Sequence, residues 1–358
     1  MEHPKPVVTT IIPTYNRSRM LKRAIQSVLD QTYDKLQLCI YDNASEDDTE
    51  LVVSEMKEKD KRIHYFRHPR NIGQINNFNF GVAHVTTPFF SFLSDDDVLL
   101  PDFYQKALRC FKRHPEILFA AGEWIYVRNG KFVDFVTHKE GYYSPPESLL
   151  EMVEGKNLYF PLLTAMLFRQ DVISKVGLFD AEIPTGDVDF EYRTMVEVPF
   201  VLFKMPCAIR EWHASATSEL ADYRSVWPGW LKMIKNITAS EHLSPRVCAR
   251  ITEALNRHLK RQIFLTGFEN IRNKNVGGAY GAAEVLKREY GLKTYPFAFI
   301  GLAKTQELNP SAYTFLMSLK STVSPFISPL WRKLAVKKKP KREIEKELQP
   351  YLKYYTPL

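Results

Sequence analysis

The chain has 358 residues, 45% hydrophobic and 25% charged, an ordinary globular composition with room for one large domain or two smaller ones. No run approaches the about 18 apolar residues of a membrane-spanning helix, and the opening MEHPKPVVTTIIP lacks the basic-then-apolar order of a signal peptide. The net charge of +8 is unevenly placed: residues 1–218 carry 25 basic and 30 acidic side chains, residues 219–358 carry 24 and 11, so the second part favours anionic partners.

Two periodicities alternate through the first 120 or so residues. VVTTIIPTY (Val7–Tyr15) is β-branched and apolar and predicts a buried strand. Met20, Leu21, Ala24, Ile25, Val28 and Leu29 then recur at helical spacing over Ser18–Gln31. LQLCIYD (Leu36–Asp42) is a second strand, Asp48–Lys59 a charged helix and RIHYFRH (Arg62–His68) a third strand. Asn76–His84 reads as a helix, PFFSFL (Pro88–Leu93) as a fourth strand, Asp102–His114 as a helix, and ILFAAG (Ile117–Gly122) opens a further strand. Glu123–Tyr143 is expected to form loops of the kind that set specificity. Beyond Glu219 the pattern becomes helical, as in Val247–Ile271 and Ala279–Tyr290.

Strand–helix alternation of this kind predicts a mostly parallel sheet with helices on both faces. In such sheets ligands bind beyond the carboxyl ends of the strands. The polar residues fall at those ends: Pro13-Thr14-Tyr15-Asn16-Arg17, Asp42-Asn43-Ala44-Ser45, Asn71-Ile72-Gly73 and Asp95-Asp96-Asp97. Three adjacent carboxylates repel one another and require a cation, strong donors or open water. Their place in FFSFLSDDDVLLPDF predicts that they face a shared crevice and not the packed core. The four cysteines, Cys39, Cys110, Cys207 and Cys248, have no metal-ligand spacing, so a reduced cytoplasmic chain without structural zinc is expected.

No GxGxxG follows the first strand and no GxxxxGK[ST] occurs, which argues against a dinucleotide oxidoreductase or a P-loop enzyme. A nucleotide site built from acids and a metal remains. Asp42 is placed to accept hydrogen bonds from a base or ribose, Tyr15 to lie against the base, and the Asp triplet to hold Mg2+ or Mn2+, hard cations that also bridge phosphates.

PTYNR, YDNASEDDT, NIG, SDDDVLLPDF and TGDVDFEYR, in this order, resemble a family-2 glycosyltransferase of the GT-A, Rossmann-like fold over residues 7–215. The resemblance implies inverting transfer of a sugar from a nucleotide-diphosphate sugar, most commonly UDP-linked, with Mg2+ or Mn2+. It implies that Asp42 contacts the base, with Tyr15 at the stacking position, and that Pro13, Asn16, Asn71, Gly73 and Asp95 also line the nucleotide-sugar site. It implies Asp96 as the metal-binding last Asp of the D-x-D motif, although Ser94 stands at that motif's first position, and His213 of REWHASATS as a late metal or diphosphate contact. Strand alternation alone would instead pair Asp95 with Asp97. Asp187 matches the catalytic base; many members carry Glu-Asp here and this chain has Gly186-Asp187. Asp97 and Asp189 are secondary candidates, Asp189 either for the acceptor or to orient its loop.

The same residues have plainer roles available: turns at Asp42-Asn43 and Asn71-Ile72-Gly73, and a helix cap at Asp187. Trp227 and Trp230 of WPGW read as core in preference to sugar contacts. The expected organisation is a catalytic domain over residues 1–215 and a helical, basic region over 216–358. In the tail, Phe326, Ile327, Leu330, Trp331 and Leu334 form a stripe before the basic run Lys337–Arg342; this suits an anionic membrane surface or packing on the helical region. Pro340 should break any helix there. No nucleic-acid module is recognisable. By resemblance, the acceptor is a glycan or lipid-linked glycan in cell-surface polysaccharide synthesis, on the cytoplasmic side. The competing readings are a nucleotidyltransferase that makes sugar nucleotides and a catalytically silent glycan-binding scaffold.

Overall fold

Strand β1 (Val8–Thr14) runs inside a ten-stranded sheet, between β2 (Leu36–Asp42) and β4 (Phe89–Phe92), both parallel to it. The structure is a computed structural model that describes residues 5–128, 130–145, 147–154, 161–212, 222–272, 275–292, 300–301, 304 and 341–355. Beyond β2 lies β3 (Ile63–Arg67), also parallel. On the other side β9 (Met166–Arg169) is inserted antiparallel between β4 and β6 (Phe119–Arg128), and β6 pairs in parallel with β10 (Phe200–Trp212). The long ladders are thus the parallel ones. The carboxyl ends of β1, β2, β3, β4, β6 and β10 all reach one edge of the sheet. Two-residue β5 (Val98–Leu99) pairs antiparallel with β10.

Helices α1 (Ser18–Leu29), α2 (Thr49–Lys59) and α4 (Phe103–Arg113) cover one face. The apolar spacing of α1 is the reason: Leu21, Ala24, Ile25 and Val28 fall on one side and are buried. The other face carries α3 (Gln74–Ala83), α5 (Glu147–Glu154) and α7 (Gly186–Glu197); short α6 (Val172–Val176) packs on α7. Helices α8 (Tyr223–Thr238), α9 (Pro245–Arg272) and α10 (Val276–Tyr290) stack on this face, and their buried side chains share one core with α3 and α7.

Glu123–Tyr143 differs from its expectation as loops. Glu123–Arg128 completes β6, β7 (Lys131–Val136) returns beside it as a hairpin, and β8 (Gly141–Tyr143) pairs with β10. Trp124-Ile125-Tyr126-Val127, with Ile125 and Val127 buried, is an available strand signal, whereas β7 and β8 are short and half-exposed. Trp227 is buried in the core, as its core reading predicted. A last helix, α11 (Lys341–Leu352), starts one residue after Pro340 and lies on β5 and β7. The stripe Phe326–Leu334 falls outside the described residues. No helix among the described residues is long and apolar enough to cross a membrane.

Candidate active site

The triplet follows β4 after two intervening residues and meets a cation and several hydrogen-bond donors. Arg17, at the mouth of α1, places one guanidinium nitrogen 2.9 Å from Asp95 Oδ1 and 3.1 Å from Asp96 Oδ2. Thr14 Oγ1 donates to Asp95 Oδ2 at 2.8 Å. Thr164 Oγ1, in the 3-10 turn Leu163–Ala165, donates to Asp97 Oδ2 at 2.8 Å, and the Glu211 amide donates to Asp97 Oδ1 at 3.3 Å. Alternation across the triplet therefore buries Asp95 and Asp97 and leaves Asp96 the more open, its side chain 15% exposed.

Charge is in surplus here. Burial, and next the charge of Asp96, push Asp95 up to about 6 and Asp97 up to about 7. Burial works against the Arg17 charge, but Asp95 and Asp96 outweigh it and raise its pKa. Asp96 is thus a hard oxygen donor on the open side of a cluster that one arginine does not neutralise, which fits a divalent cation. Among the described residues no group of three or more His, Cys, Asp or Glu side chains encloses a metal position. A cation at Asp96 would need oxygens from its ligand as well. His213 lies outside the described residues.

The nucleotide-side candidates gather at the ends of β1, β2 and β3. Tyr15 is 42% exposed with Asn16 beside it, and half-buried Pro13 precedes them in β1. Asn16 takes a positive φ of 53° and bonds the next loop: its amide donates to Ser45 Oγ and its Oδ1 accepts from the Glu46 amide. Asp42 is fully buried. Its oxygens accept from the Ser45 amide at 2.8 Å and the Tyr65 hydroxyl at 2.6 Å, with Arg67 Nε 3.7 Å away. Tyr15, Asn16 and Arg67 are among the groups that this edge offers outward. Asn71 and Gly73 build the turn into α3: Asn71 Oδ1 accepts from the Gly73 amide and from Asn43 Nδ2, both at 2.9 Å, and Gly73 has φ 86°.

Asp187 sits in the first turn of α7. Burial raises its pKa, while the backbone N–H groups of Val188 and Asp187 and the charge of Arg210 oppose the rise. Arg210, near the end of β10, acts on Asp97, Asp187 and Glu191 alike, so the base candidate and the triplet share one electrostatic neighbourhood. Glu191, one turn after Asp187, is buried; burial and then the charge of Asp187 push its pKa well up, opposed by the Leu163 backbone and the charge of Arg210. A Cβ on Gly186 would lie 3.0 Å from Ile75 Cδ1 and 3.2 Å from the Asp180 carbonyl, so a larger side chain here has little room. Asp189 is 0% exposed, paired with Arg193 at 2.7 Å and bonded to Asn236 of α8 at 3.2 Å.

Arg17, Thr164, Glu191, Arg210 and Glu211 were not singled out from sequence. Arg17 had a signal, since three carboxylates require a cation and it ends the adjacent PTYNR motif. Glu191 had one too, at i+4 from Asp187.

Residues 9–177 match the model for glycosyl transferase family 2. That stretch of the chain is a family-2 glycosyltransferase domain. A glycosyltransferase of Rickettsia typhi that is itself uncharacterised is 26% identical over 243 residues, 64% of this chain and 73% of that protein. Among solved structures, S. aureus TarS 1-349 in complex with UDP-GlcNAc superposes with a TM-score of 0.58 at 13% identity, covering 78% of this chain and 80% of that one. A mannosyltransferase from Pyrobaculum calidifontis in complex with GDP-Man and Mn2+ gives 0.51 at 15% identity, covering 92% and 88%. At these identities the structural likeness establishes the GT-A fold of this glycosyltransferase.

Proposed function

We propose that this glycosyltransferase moves a sugar, with inversion, from a nucleotide-diphosphate sugar to a hydroxyl of a glycan or lipid-linked glycan. The single observation that carries the reading is the Asp95–Asp97 loop at the carboxyl edge of the sheet, where Asp95 and Asp96 share Arg17 and Asp97 is held by Thr164 and the Glu211 amide. A donor in that crevice has a negatively charged diphosphate on one side and an acceptor approach on the other. UDP is the favoured nucleotide carrier, with GDP next; the ligands of TarS and of the mannosyltransferase support both.

In this reading the base lies against exposed Tyr15, at the edge built by Asp42, Asn43 and Asn71, and Pro13, Asn16 and Gly73 shape the loops around it. Asp95, fixed by Thr14 and Arg17, borders the ribose and diphosphate. Asp96 holds Mg2+ or Mn2+, with His213 as a further candidate ligand. When bound, the metal offsets charge that develops on the leaving diphosphate. Asp97 holds the loop to β10. Asp187 accepts the proton of the attacking acceptor hydroxyl; burial, which raises its pKa, makes it a stronger base than an exposed carboxylate. Single displacement at the anomeric carbon then inverts it.

The division into a catalytic part, 1–215, and a docked helical part, 216–358, belongs to the same proposal. So does a peripheral position on the cytoplasmic face of a membrane, supported by the basic excess of residues 219–358. Cell-surface polysaccharide synthesis is the corresponding setting. The reading is tested by Asp187→Asn, which is isosteric and removes only the basic oxygen. Turnover should fall by at least about 100-fold, the usual contribution of a positioned base, with donor binding kept. Turnover unchanged from wild type removes Asp187 from the role.

A further inference from the structure

We propose that Tyr355, three residues beyond α11, is a positioning residue for the Asp95–Asp97 loop and acts on it through Glu211 and Arg23. The proposal rests on the reading of that loop as the metal and diphosphate site. It concerns residues far from that loop in the chain.

Three contacts carry it. The Tyr355 hydroxyl donates to Glu211 Oε1 at 2.5 Å, across 144 residues. The other Glu211 oxygen lies 2.5 Å from a terminal nitrogen of Arg23. That same nitrogen donates to the backbone carbonyl of Asp96 at 2.7 Å. The Arg23 guanidinium also lies over the Tyr355 ring, 4.9 Å from its centroid. Glu211 returns to the loop a second way, through its amide bond to Asp97. Tyr355 and Glu211 are both buried, at 8% and 9% exposure, so these bonds form away from bulk water, where each is harder to replace.

Helix α11 gives Tyr355 its address. Leu348 and Tyr355 are buried against Val98, Ile125, Phe132 and Ile209, and Val98 directly follows Asp97. One end of the triplet is thus clamped by packing under α11, and its middle by a carbonyl bond that Arg23 makes. Arg23 divides one nitrogen between Glu211 and Asp96. The tyrosine hydroxyl satisfies the rest of the Glu211 charge. Without it, buried Glu211 competes harder for Arg23, and the Asp96 carbonyl loses its donor. The carboxylate of Asp96 is carried on that same peptide unit, so its aim depends on whether the C-terminal segment is seated. Groups one layer behind a metal ligand commonly change metal affinity 10–100-fold.

The experiment uses the full chain and Tyr355→Phe, which keeps the ring over Arg23 and removes only the hydroxyl. Calorimetric titration with UDP and with GDP, each with and without Mn2+, should show Mn2+-dependent nucleotide binding weakened about tenfold, with binding in the absence of metal unchanged. A purely structural tyrosine would lower the melting temperature and leave binding well below it intact; equal Mn2+-dependent affinity in the two proteins overturns the proposal. Hydrogen exchange on the wild type gives a second test that needs no variant. Coupling is reciprocal, so Mn2+ with the bound nucleotide should slow exchange of the amides in 347–355. Unchanged exchange there contradicts the coupling. If the wild type binds neither nucleotide with Mn2+, the site reading itself fails and takes the positioning role with it.

Discussion

Replacing Arg17 with Met keeps most of its stem and removes its charge. Arg17 makes two charge-assisted bonds, to Asp95 and Asp96, of a kind worth about 1.5–3 kcal/mol each. Its side chain is 24% exposed, which screens part of that sum. Asp95 also has an outlet: already pushed up to about 6 by burial and by Asp96, it can take a proton when its partner is gone. The net loss of stability should therefore be about 2–3 kcal/mol at pH 8. At pH 5 it should be about half that, because Asp95 is mostly protonated there even in the wild type. The sign follows from linkage. Without Arg17 the folded-state pKa of Asp95 rises further above its unfolded value near 3.8, so the folded chain holds a proton that the unfolded chain has lost. Stability of the variant must then fall with rising pH more steeply than that of the wild type. Urea unfolding of both proteins at pH 5 and pH 8, followed by circular dichroism, measures the difference. Equal losses at the two pH values, or none at pH 8, would refute the pairing.

Two further outcomes follow from the packing. A Cβ on Gly122 would lie 2.2 Å from Cys207 Sγ and 3.0 Å from the Met205 carbonyl, so Gly122→Ala should force β6 from the bulge in β10 and cost about 1–3 kcal/mol in denaturant unfolding; a variant as stable as wild type would mean that the bulge yields freely. Burial lowers His138 to about 4, so between pH 6.5 and 4 the unfolded chain takes a proton that the folded chain refuses, and stability should fall with acid by up to about 3 kcal/mol. His138→Gln should flatten that part of the stability–pH curve; a curve parallel to wild type would show that His138 is protonated in the fold.

The alternation from Val7 to His114 was legible because each strand and helix there buries one face, and burial writes its period into the chain. The polar ends of those strands were legible for the same reason, since a polar cluster that interrupts an apolar run must sit at an edge. What was not legible has two physical causes. Some strands are short or half-exposed: β5 has two residues, and β7 alternates only weakly. Other features depend on contacts between distant residues, such as Tyr355 with Glu211 or Thr164 with Asp97, for which a single sequence carries no local signal. Asp42 shows a subtler limit. Its position at the end of β2 was readable, but the two donors that occupy its oxygens were not. The triplet shows the reverse: alternation alone would have paired Asp95 with Asp97, and the structure does bury those two and leave Asp96 the more open.

The central claim is that the Asp95–Asp97 loop binds a metal and the diphosphate of a nucleotide sugar. Thermal stabilisation by a panel of nucleoside diphosphates, with and without Mn2+, tests it most directly in wild type and Asp96→Ala. A ligand at a hundredfold excess over its dissociation constant adds about 2.7 kcal/mol to the folded state. The account predicts a shift with one nucleotide that requires Mn2+ and vanishes in Asp96→Ala. No shift with any nucleotide, or an equal shift in the variant, would contradict it.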